Sequence, residues 1–143
     1  MTTAIHNMDA EINTAKDWLK DMTAELHFED EMQTYRSARA VLQTVRDRLP
    51  VNEAVDFGSQ LPIVLGGLYY HDWKPAHKPE KFDKKDEFYS KVNERLSDSD
   101  INPEHATNGV LKTLEKRITT GEIKDVIGNF PKDLAALFPK ENS

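Results

Sequence analysis

Apolar side chains recur along the start of the chain at alternating spacings of three and four. They stand at Ile5, Met8, Ile12, Ala15, Leu19, Met22 and Leu26, and Trp18 widens the stripe. That spacing puts them on one face of a helix and predicts helical structure over 5–26. The pattern returns at Met32, Tyr35, Ala38, Leu42, Val45 and Leu49, predicting a second helix over 30–49. Asp30 is placed to cap it, because its carboxylate can accept from a free backbone N–H of the first turn. Pro50 ends it, since the residue before a proline avoids the helical region. A shorter helix follows from about Asn52 to Ser59. Pro62 then opens a further turn, at a position where a missing N–H is harmless.

The second half of the chain reads like the first. "VLQTVRDRLPVNEAVDFGSQLPIVLGGLYY" (41–70) aligns without a gap on "VLKTLEKRITTGEIKDVIGNFPKDLAALFP" (110–139). Val41, Leu42, Thr44, Arg48, Glu53, Asp56, Pro62, Leu65 and Leu68 each meet the same residue type, against roughly two matches expected by chance. Upstream, "WLKDMTAEL" (18–26) echoes "FYSKVNERL" (88–96). Self-similarity of this kind marks a duplicated helical unit. Neither unit can bury its stripe alone, so the two are expected to pack on each other. The expected fold is all-α: one domain over 1–143, a bundle of about six main helices built from two pseudo-symmetric repeats, with two further short helices. Repeat one covers about 12–70, a linker about 71–82, and repeat two about 83–139. Residues 140–143 are expected to be a disordered tail. Gly66 and Gly67 stand where the second copy has Ala135 and Ala136. Small residues at both places suggest close helix approach, and the glycines can equally let the first copy's helix end there.

Three segments carry a resemblance to a known family: "RAVLQTVRDRLPVNEAVDFGSQLPIVLGGLYYHDWKP" (39–75), "KPEKF…DEFYSKV" (78–92) and "GEIKDVIGNFPKDLAALF" (121–138). The chain resembles the bacterial family catalogued as domain of unknown function 2267, from about residue 18 to 138. The resemblance implies a helical, internally repeated fold. It implies no activity and no catalytic residues. The first 15 residues or so fall outside it.

Composition narrows the function classes. Of 143 residues, 38% are hydrophobic and 31% charged, a polar but foldable balance. There is no cysteine, so disulfides, thiolate metal sites and cysteine nucleophiles are excluded. The opening "MTTAIHNMDAEI" lacks the basic end and apolar core of a secretory signal, and no apolar run approaches the ~20 residues that span a bilayer. A cytoplasmic location and no membrane contact are expected. The net charge of −6 disfavours binding to phosphate backbones, so no nucleic-acid partner is expected. The lysines of 74–91 are interspersed with Asp83, Asp86 and Glu87 and read as a solvated face.

Two constellations are candidates for chemistry. The first is the repeated set Arg48, Glu53, Asp56 and Arg117, Glu122, Asp125. Glu53 and Asp56 share one helix face, as do Glu122 and Asp125. Each acid sits in the first turns of a short helix, where the macrodipole favours negative charge. Each arginine ends the preceding helix. A hairpin latch across each turn is preferred to a metal site, because the Glu-x-x-His pairs of helical di-metal centres are missing. The second is the linker "YYHDWKPAHKPEKF" (69–82). Tyr70, His71, Trp73 and Lys74 are its candidate partner-binding residues, since Trp and Tyr dominate binding hot spots. The competing expectation is that the aromatics fold back onto the bundle, which the alignment of Tyr69 with Phe138 favours for Tyr69.

Other chemistry finds little footing. His71, Asp72 and His77 match no strong zinc spacing, and His6, His27 and His105 are scattered. "FGSQL" lacks the second glycine of a nucleophile elbow, and the Gly66–Gly67 pair is no phosphate loop. No catalytic residue, metal or cofactor is assigned. The stripe from Ile5 to Leu26 spans about three heptads, the lower edge for a coiled coil. Packing within the bundle is expected over pairing between chains, hence a monomer over a homodimer. The leading reading is a non-catalytic helical interaction or scaffold domain with an unidentified protein partner. The alternative is a small-ligand or metal-binding protein, or an enzyme, with its site in the cleft between the repeats.

Overall fold

The computed structural model describes residues 4–139, and the tail expected at 140–143 lies outside them. Eight helices and no strand occur among the described residues. They are α1 (Ala4–Leu26), α2 (Glu31–Arg48), α3 (Val51–Gly58), α4 (Ile63–Tyr70), α5 (Lys85–Leu96), α6 (Pro103–Arg117), α7 (Thr120–Gly128) and α8 (Lys132–Ala135). Local chemistry sets several boundaries. The Asp30 carboxylate accepts from Met32 N at 2.9 Å to start α2. Asn102 does the same for His105 N at 3.1 Å before Pro103 opens α6. Pro50, Pro62 and Pro131 stand at the N-caps of α3, α4 and α8.

The long helices α1, α2, α5 and α6 form the body. α1 packs on α6 and α2, α2 on α5 and α6, and α5 on α6; α4 rests against α1 and α2, and α3 against α7. Helix α2 lies at the centre. Its Ala38, Ala40, Val41, Leu42 and Val45 are fully covered, and so are polar Ser37, Thr44, Arg46 and Asp47. Buried polar groups need partners. Thr44 donates back to Ala40 O at 2.7 Å, and Gln43 donates to Leu68 O at 3.0 Å.

The apolar stripe of α1 divides in two. Ala15, Trp18, Met22 and Leu26 are buried, whereas Ile5, Met8 and Ile12 are exposed. The cause is length. α1 has 23 residues and α6 has 15, so they run about 34 Å and about 22 Å. The first turns of α1 run out beyond the helix that covers the rest.

The expectation of close approach at Gly66 and Gly67 is corrected. A Cβ at either would meet nothing within 4 Å, and α4 continues through both to Tyr70. Close approach occurs elsewhere. At Gly109 a Cβ would strike the Leu26 side chain, and at Gly58 the Tyr70 ring.

Candidate functional site

The repeated acids meet where α3 packs on α7. Glu53 occupies the third position of α3, and Glu122 the third of α7, where its N–H donates to the capping Thr119 hydroxyl at 3.3 Å. The two carboxyls face each other across the contact, where a proton on one can be shared with the other. Oε1 of each is buried with no donor. Asp125 joins them, so that one carboxylate oxygen from each of Glu53, Glu122 and Asp125 lies within 4.8 Å of the others. Asp56 adds its charge from the next turn of α3. Burial pushes the Glu53 carboxyl up to about 7, helped by the hydrogen bond to Glu122 and by the charges of Glu122, Asp125 and Asp56. Burial raises Glu122 as well.

The arginines expected to latch these acids are engaged elsewhere. Arg48 Nε donates to Phe82 O at 2.8 Å, and Arg48 pairs with Asp83 at 3.6 Å. Arg117 Nε donates to Asp21 at 2.7 Å, with its guanidinium 5.5 Å from the Trp18 ring centre. The helix ends thus bind the linker and α1, and among the described residues no ion pair engages the four acids.

The linker is held near its two ends, while residues 74–77 stay exposed. Arg46, a residue that the sequence reading passed over, is buried and reaches it first: Nη1 donates to Tyr69 O at 2.7 Å and His71 O at 2.8 Å, and Nε to Asp47 at 2.9 Å. Asp47 also receives Arg95 and Lys78, and its carbonyl accepts from Glu80 N at 2.8 Å. Phe82 is buried under the cations of Arg48 and Lys91. The aromatics turn inward. Tyr69 is fully buried and donates to Ala54 O at 2.6 Å. Tyr70 is half-buried, donates to Val55 O at 3.3 Å, and stacks at 5.6 Å on the half-buried Trp73. His71 and Lys74 stay exposed, and His71 lies 3.4 Å from Asp72.

A third feature had no sequence motif beyond the stripe of α1. Met8, Ile12, Ile63 and Val64 line a cavity of about 340 Å³ between α1 and α4. All four are exposed, Ile63 at 69% and Met8 at 60%, and Ile5 continues the patch at 73%. Further along α1 a groove of about 470 Å³ between α1 and the start of α2 is lined by Leu19, Met32 and Tyr35.

Fold and site define an all-helical domain in which three carboxyls meet at the α3–α7 contact, a buried Arg46–Asp47 pair holds the linker, and exposed apolar side chains of α1 and α4 border one cavity. The chain belongs to the family described as "Uncharacterized conserved protein (DUF2267)", whose model matches residues 15–137. Ile5, Met8 and Ile12 precede the matched residues. No curated protein matches the chain. No described helix is long and apolar enough to cross a membrane.

Proposed function

We propose that this protein is a non-catalytic helical interaction module whose working surface is the apolar face of α1 and α4. The observation that carries the reading is the contiguous exposure of Ile5, Met8, Ile12, Ile63 and Val64. Exposed apolar patches of this kind mark interaction sites, because burying them on a partner is favourable by about 25 cal/mol per Å². The reading moves the surface away from Tyr70 and Trp73, which are bound to the α3–α4 end, and keeps His71 and Lys74 only as peripheral candidates. The two halves are read as copies of one unit. The order long, long, short, short in α1–α4 and the matching positions of α5–α8 support this. Affinity capture from cell extract tests the surface by comparing the wild type with a folded Ile12→Glu, Ile63→Glu variant. A protein retained by the wild type and lost by the variant supports the surface; identical retention by both refutes it.

The convergence of Glu53, Glu122 and Asp125 favours a second reading, a divalent-cation site between α3 and α7. Three carboxylates supply the hard oxygen donors that Mg²⁺ or Ca²⁺ takes. Thermal melts with each ion, on the wild type and on Glu122→Gln, are the test. A rise in Tm that the variant loses supports the site, and a wild type indifferent to both ions sinks it.

A further inference from the structure

We infer that the occupant of the α1–α4 face is a second copy of this chain, docked antiparallel through α1 about a twofold axis. The inference rests on the interaction-face reading above and names its partner. Two observations single out a second copy.

The first is shape. One face of the molecule carries both a ridge and a groove. The ridge is the exposed edge of α1 at Ile5, Met8 and Ile12, the last two bordering the α4 cavity on their inner side. The groove is floored by Leu19 one helix segment further on, with Met32 and Tyr35 of α2 as its wall, both exposed at 53% and 41%. A twofold contact needs such a self-complementary patch, in which each copy's ridge enters the other's groove. An axis passing between residues 13 and 14 sets Met8 against the partner copy's Leu19. The step of 11 residues from position 8 to position 19 spans about 16 Å of helix.

The second is charge. Asp9, Lys16 and Lys20 follow one another at intervals of seven and four residues and therefore share one flank of the stripe. An antiparallel twofold pair sets each flank against its own copy running the other way. In the register that brings Met8 to Leu19, Asp9 of each copy meets Lys16 of the other, with Lys20 a turn beyond. Among the described residues no ion pair engages the side chains of Asp9, Lys16 or Lys20. Further along α1, Asp21 pairs with Arg117, and Glu25 with Lys112 and Lys116. The ion pairs that α1 makes among the described residues thus lie in its last two turns, away from the exposed apolar positions. Two lysines and one aspartate make this flank net basic in a chain of net charge −6, with Glu11 on the other side of the stripe and Glu31 at the groove.

The test is the mass of the purified full-length chain by sedimentation equilibrium over a concentration series. The variants are Met8→Glu, Asp9→Lys, Lys16→Glu and the double swap Asp9→Lys, Lys16→Glu, each checked for wild-type helicity. The expected result is a wild-type dimer. Each single variant weakens association about tenfold or more, since the twofold axis counts every change twice, and the double swap restores it. A monomeric wild type at all concentrations overturns the inference, as does a dimer indifferent to Met8→Glu or a double swap that stays as weak as its parents. The capture experiment separates this failure from that of the underlying reading. A monomer that still retains a specific protein through Ile12 and Ile63 loses the second copy and keeps the interaction face. A monomer that retains nothing loses both.

Discussion

Replacing Glu53 with glutamine removes one titratable carboxyl from the α3–α7 contact and keeps its shape. Between about pH 4.5 and 7 the folded protein keeps a proton on Glu53, facing Glu122, that the unfolded chain releases. The Glu53 carboxyl titrates at about 7 when folded against an ordinary 4.5. The group is raised on folding, so its contribution to stability is whole below about 4.5, falls as the pH rises, and is gone above about 7. At about 1.4 kcal/mol per pH unit the full difference is about 3 kcal/mol. Glu53 is only half-buried, and solvent screening brings the figure to about 1–2 kcal/mol. In Glu53→Gln the amide donates to the Glu122 carboxylate without needing the proton. Against this stands the loss of a carboxylate near a helix N-terminus, about 0.3–1 kcal/mol. The net expectation is about 1 kcal/mol of added stability near pH 8, or about 3 °C in Tm, and little change near pH 5. Urea denaturation of both proteins across that range measures it. Parallel stability–pH curves, or a variant less stable than the wild type near pH 8, would refute the shared-proton account.

Further outcomes follow from the packing. Arg46→Met strands the carbonyls of Tyr69 and His71 and takes one cation from buried Asp47, so it costs about 3–5 kcal/mol; a loss below about 1 kcal/mol in urea denaturation would show that the linker is not held there. Gly66→Ala meets open space and gains helix propensity, up to about 1 kcal/mol. Gly109→Ala drives a methyl into Leu26, and the overpacking cost of about 1–3 kcal/mol outweighs the same propensity gain. If the two glycine variants shift Tm in the same direction, the assignment of close approach to the α1–α6 contact is wrong.

Periodicity in the sequence determined the helices, because a stripe at three-and-four spacing has one way to be buried. It also determined the caps at Asp30 and Pro50, whose chemistry acts within a turn, and the burial of Tyr69 through its alignment with Phe138. The repeated Glu53 and Glu122 were legible as a pair of positions, but their meeting was not. Helix N-terminal acids read as dipole partners, and only the packing of α3 on α7 turned them into neighbours that share a proton. The arginines read as latches because they end the preceding helices; long side chains reach whatever the tertiary fold brings near, here Phe82 and Asp21. Arg46 and Asp47 drew no attention, since adjacent opposite charges on a helix look like a solvated surface until the returning linker covers them. The same limit explains α1. The sequence specifies which face of that helix is apolar along its whole length, but how much of the face is covered depends on where α6 stops. Local chemistry fixed the elements of this protein, and the lengths and crossings of its helices decided which of its side chains are left for a partner.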